Sequence, residues 1–106
     1  MIYDKTLSAV PVIKKTMMLS KRHLTDETVM AIRTESGLAG LSVETKNSGG
    51  IIINIDEDTR KAVENNRLYA AHHDLVDCIK FTRDHGCDIL DIEDYIQPVA
   101  ELRTYA

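Results

Sequence analysis

His72, His73, Cys78, His85 and Cys87 are the side chains of this sequence best suited to a soft metal ion, and they share one stretch. Zinc sites favour Cys-x-x-Cys pairs or histidines at helical i, i+4 spacing. His73 and Cys78 are five apart, off a common helical face. His85 and Cys87 straddle Gly86 and can converge, but a four-ligand set would need the far end of the same helix. The plainer reading makes His72 half-buried and His73 solvated. It puts His85 in a last helical turn, where a cation suits the dipole. No cofactor is expected.

His73 and Asp77 also have the i, i+4 spacing by which a carboxylate orients an imidazole for general base work. The nucleophile is missing. No Gly-x-Ser-x-Gly elbow occurs, and Ser20, Ser42 and Ser48 lack distinctive context. Gly49-Gly50 is not followed by the Gly-Lys-Ser/Thr of a phosphate loop. The expectation is therefore not an enzyme. The alternative is a small-molecule- or metal-binding domain, or a minor enzyme, built on His72, His73 and His85.

Charge carries the other candidates. Residues 1–24 hold five basic side chains (Lys5, Lys14, Lys15, Lys21, Arg22) against Asp4, a net of +4. Residues 25–106 hold eight basic and sixteen acidic side chains, a net of −8. Asp88, Asp91, Glu93 and Asp94 form an acidic run near the end, and Asp56, Glu57 and Asp58 a second. Neither matches an EF-hand loop, which needs alternating acids, a central Gly and a terminal Glu. Two readings stay open: docking surfaces for a partner of opposite charge, or a solvated strand edge guarded by charge. Asp88, Asp91, Glu93 and Asp94, with Lys14, Lys15, Lys21 and Arg22, are the candidate binding residues.

The elements that must position these groups follow from local pattern. Pro11 demotes residues 1–15 to an edge strand or a loosely ordered arm. Thr16–Ser20 is a short apolar strand. Thr25 is an N-cap, with Asp26 and Glu27 in the first helical turn. Leu24 and Val29 have the spacing of a hydrophobic staple. That helix is expected to stop near Gly37.

Leu41, Val43 and Thr45 alternate with Ser42, Glu44 and Lys46, as in a half-buried strand. Asn47–Gly50 is turn chemistry, and Ile51–Ile55 resumes as a more central strand, completing a hairpin. Residues 56–67 are a short helix capped by Asp56 or Asp58, or an exposed loop. Leu68, His72, Leu75, Val76, Ile79 and Thr82 share one helical face ending at Gly86. Asp88–Glu93 is a strand with Leu90 and Ile92 inward, and the tail after Pro98 is a candidate terminal strand.

The order strand–helix–strand–strand–helix–strand predicts an α+β fold. Its expected form is a ferredoxin-like split βαβ sandwich (βαββαβ), a small antiparallel sheet with two helices on one face. The chain of 106 residues has room for one domain, 1–106. The longest apolar run is Ile51–Ile53, far short of the roughly 20 residues a membrane span needs. There is no signal-peptide pattern, so free thiols and a cytoplasmic location are the default. The net charge of −4 disfavours nucleic acid. The four tyrosines form no stacking stripe. The partner class left is protein, with a homodimer also open.

Two stretches resemble a known family. One is Leu19-Ser20-Lys21-Arg22-His23-Leu24-Thr25-Asp26-Glu27-Thr28, similar to a "Ser-x-x-His-Ile-Thr-x-Glu-Thr" helix start. The other runs from Asp74 to Glu93, similar to a helix ending in "Ala-Arg-x-x-Gly-Cys" before an acid-rich strand. Leu102-Arg103-Thr104-Tyr105 matches as well. Together they resemble a small uncharacterised family of conjugative plasmids, prophages and genomic islands, often found beside anti-restriction genes. Family members carry aromatic residues in the middle strand, where this chain has Ile51–Ile53. No catalytic residues are established there, so none carries over. His23 matches a family position and equally fits a structural role before a helix cap. The resemblance implies a mobile-element accessory protein that binds its target, such as an inhibitor of a host defence nuclease or CRISPR-type complex.

Overall fold

A computed structural model describes residues 13–34 and 40–105, apart from the side chain of Asn66. The readings for residues 1–12 and for the stop at Gly37 lie outside the described residues. Strand β1 spans Thr16–Ser20 and runs into a 3-10 turn, Lys21–His23. Helix α1 spans Asp26–Thr34, and β2 (Ser42–Thr45) and β3 (Ile51–Asn54) follow. Helices α2 (Glu57–Val63) and α3 (Asn66–Asp84) then lead to β4 (Ile89–Glu93).

The chemistry read at the start of α1 is in place. The Thr28 amide donates to Thr25 Oγ1 at 3.2 Å, Leu24 is buried and Val29 packs against the core. The polar segment after β3 forms α2. The Asp56 carboxylate accepts from the Thr59 amide at 2.9 Å and from the Ser42 hydroxyl, and both bonds hold its pKa below the usual value.

The sheet is mixed, in the order β1-β4-β3-β2. β2 and β3 are the expected antiparallel hairpin, β3 pairs antiparallel with β4, and β1 pairs parallel with β4. This corrects the ferredoxin-like expectation in three respects. A split βαβ sheet sets its first and third strands side by side. Here the first strand lies at an edge, next to the fourth. The sheet is not wholly antiparallel, and the described residues form three helices. Burial explains the placement. Leu90, Asp91, Ile92 and Glu93 are all buried, as a central strand requires, whereas Thr16 and Met18 of β1 are exposed. The tail from Asp94 to Tyr105 adds no strand.

Register fixes two faces. The rows Met17–Leu90–Ile53–Val43 and Leu19–Ile92–Ile51–Thr45 lie on one face. Leu19, Ile51, Ile53, Leu90 and Ile92 join Leu75, Val76 and Ile79 of α3 in a single core. Each such side chain contributes about 1.5–3 kcal/mol by leaving water.

Helix α3 is not straight. His72 has φ −142° and ψ 58°, a break between two helical stretches. The break carries Asp74 to the start of α1. There its carboxylate accepts from the Thr25 amide (2.8 Å), the Thr25 hydroxyl (3.2 Å) and the Thr28 hydroxyl (2.9 Å). His72 Nδ1 lies 3.1 Å from Thr28 Oγ1. Since the Thr28 proton points at Asp74, the imidazole is the donor in that pair.

Candidate interaction surface

The second sheet face carries the rows Thr16–Ile89–Asn54–Ser42 and Met18–Asp91–Ile52–Glu44. Ser20 pairs with Glu93 in the next row, and Gly50 lies beside it, its carbonyl bonded to the Lys46 amide at 2.8 Å. No described helix covers this face. Met18 is 40% exposed, Glu44 is exposed and Ile52 half-buried.

Asp91 and Glu93 are two apart on one strand, so both point out of the same face. They are only 8% and 4% exposed. Lys46, just beyond β2, reaches over the sheet to both. Its Nζ donates to Asp91 Oδ2 at 2.8 Å and also to Glu93 Oε2. These two carboxylates raise the Lys46 pKa, Asp91 contributing most. A raised amine pKa means the contribution is full below the ordinary lysine value and is lost only as pH climbs above it.

Two features hold the lysine there. The hairpin loop turns at Gly49, with φ 94°, and the Gly49 amide donates to the Lys46 carbonyl at 2.9 Å. The Gly49 carbonyl in turn accepts from Arg33 Nη2 (2.7 Å) and Lys21 Nζ (3.4 Å). The cluster is unbalanced, with the Asp91 and Glu93 carboxylates sharing the one Lys46 ammonium. Among the described residues, Asp91 Oδ1 is buried without a hydrogen-bond partner. A buried oxygen left so costs about 1–3 kcal/mol.

The sequence-derived candidates sort themselves on this frame. Asp91 and Glu93 belong to the face, but not to a solvated edge, because β4 is central. Asp94 pairs with Lys21 at 3.1 Å. Asp88 Oδ2 accepts from the Lys15 amide at 3.1 Å. The acidic run and the basic segment are thus neighbours, joined by one ion pair, Lys21–Asp94, and by the Lys15 backbone. Lys14, Lys15 and Arg22 have exposed side chains. Sequence reading missed Lys46, Glu44, Ile52 and Met18. The outward alternation of Ser42, Glu44 and Lys46 was the available signal, but it does not say which strand lies alongside.

The histidines are dispersed. His72 is engaged by Thr28, and His73 lies between the rings of Tyr69 (6.1 Å) and Tyr105 (6.4 Å). His85 sits at the end of α3, with Nδ1 2.8 Å from the Phe81 carbonyl. No hydrogen bond joins His73 to Asp77 among the described residues. Nor are three His, Cys, Asp or Glu side chains grouped to hold a metal ion among them.

Cys78 is buried, and desolvation, with Asp74 and Asp77 adding, pushes its thiol up to about 12. Cys87 is half-buried. Iodoacetamide at pH 8 should therefore label Cys87 and leave Cys78 unmodified until denaturant is added. Peptide mapping reads both sites, and native labelling of Cys78 would contradict the burial described.

Residues 16–106 match the C-terminal domain of DUF5983, a family of unknown function. The chain belongs to this family. The DUF5983 match starts at the first residue of β1 and takes in the whole sheet, all three helices and the tail. Searches of curated proteins and of solved structures return no match. No helix of the described residues is long and apolar enough to cross a membrane.

Proposed function

We propose that this protein acts by binding another protein through the uncovered sheet face, without catalysis. The observation that carries the reading is the pair of carboxylates that share one lysine on that face, with Asp91 Oδ1 lacking a donor among the described residues. Met18 and Ile52 flank it. The partner is a protein that presents lysine or arginine beside apolar side chains, since charge complementarity selects partners and apolar contact holds them.

The family resemblance adds a setting. An accessory protein of a plasmid, prophage or genomic island that restrains a host defence nuclease or CRISPR-type complex would bind in this way. That finer reading rests on the resemblance alone.

Photo-crosslinking amino acids at Met18 and Glu44, with a control at Arg83 on α3, test the surface in host lysate. The expected result is one stoichiometric adduct from the sheet positions, mapping to a basic segment of its target. Glu44→Lys and Ile52→Asp should abolish it while leaving the fold intact. Equal yields from both sides of the molecule, or adducts indifferent to these substitutions, would overturn the proposal.

A further inference from the structure

His23 occupies the 3-10 turn ahead of α1 and is 1% exposed. Both ring nitrogens are bonded to the backbone of the C-terminal tail. Nδ1 lies 2.9 Å from the Arg103 carbonyl, and the Val99 amide donates to Nε2 at 3.0 Å. A carbonyl can only accept and an amide can only donate. The proton therefore sits on Nδ1, the lone pair on Nε2, and the ring is neutral.

The tail has little else to hold it. Asp94–Tyr105 contains no helix or strand. The Tyr105 amide donates to the Arg22 carbonyl at 2.8 Å, and Val99 and Leu102 pack half-buried against the core. A second proton on His23 would turn its Nε2 into a donor facing the Val99 N–H. It would then lose that bond and place a charge in a buried site.

We infer that His23 is a proton-operated latch, holding the tail over the 3-10 turn and α3 while neutral and releasing it on acidification. A ring protonated on both nitrogens cannot accept from the Val99 amide, so acidification removes one of the two bonds that dock the tail. The titratable and charged groups that line the small cavity beside the ring are Asp74, Asp77 and Cys78 from α3 and Arg103 and Tyr105 from the tail, with Arg22 preceding His23 in the turn. Release would uncover the side of α3 around buried Cys78, between Asp74 and the already exposed Asp77. That surface is separate from the sheet face, and the latch stands whether or not a partner binds there.

Amide hydrogen exchange, expressed as protection factors at several pH values, tests the latch on the full chain. Between about pH 8 and pH 5, where histidine changes charge, protection at Val99 and Tyr105 should fall by about tenfold or more. Protection at Ile53 and Ile92 should stay constant. His23→Gln supplies a non-titrating acceptor for the Val99 amide and should remove the pH dependence. Val99→Pro deletes the donor and should leave the Tyr105 amide unprotected at every pH, with His23 intact. Constant protection of the tail in the wild type would overturn the inference. So would a fall shared equally by tail and sheet, or an unchanged pH profile in a folded His23→Gln protein.

Discussion

Asp74→Ala should unfold at a far lower urea concentration than the wild type, with a loss of about 3 kcal/mol. Asp74 is the acceptor for three donors at the head of α1, and its carboxylate is 4% exposed. Removing it leaves the Thr25 amide short of a partner and the buried Thr28 hydroxyl to turn toward His72. The imidazole can then accept only if its own proton moves to Nε2, which softens the penalty without cancelling it. The favourable field between carboxylate and helix N-terminus is lost as well. In a domain of this size the melting temperature should drop by about 12–24 °C. Asp74→Asn keeps the shape and one acceptor, and should cost clearly less. A loss below about 1 kcal/mol for the alanine variant would mean that water replaces the carboxylate and that the network does not bind α3 to α1.

Gly50→Ala should cost about 2 kcal/mol for a single methyl group. The reason is space, not backbone conformation. A Cβ on Gly50 would lie 2.5 and 2.6 Å from the Glu93 carboxylate oxygens and 2.7 Å from its Cδ. Glu93 is buried and held by Lys46, so its carboxylate can retreat only by giving up the ammonium. A double-mutant cycle isolates this contact. In a Glu93→Ala background Gly50→Ala should be nearly neutral, giving a coupling of about 1–2 kcal/mol. Additive effects would show that the methyl group is accommodated elsewhere.

What was legible in the sequence is what short-range chemistry decides. The Thr25 cap, the Leu24–Val29 staple, the turn at Asn47–Gly50 and the inward pointing of Leu90 and Ile92 each depend on residues a few positions apart. The neighbours of β4 do not. Nothing within Ile89–Glu93 says that β1 lies on one side and β3 on the other. The acids were thus open to being read as a guarded edge, when Lys46 from beyond β2 caps them. The break at His72 was hidden for the same reason. The residues that stabilise it, Thr25 and Thr28, sit at the start of another helix. The opposite net charges of the two ends suggested separate surfaces, until parallel pairing set Lys21 against Asp94.

The pairing of the first strand with the last bears on how the protein is made. During synthesis β2 and β3 can form their hairpin, and α3 can close over it, as the chain emerges. Met17, Met18 and Leu19 must wait until Ile89–Glu93 has been translated, because β4 supplies the only described partner of β1. Closing so long a loop late is slow and leaves an apolar strand in search of an edge. Chaperone contact and self-association in the nascent protein should therefore concentrate on that early segment, and release of the finished domain should coincide with the docking of β1.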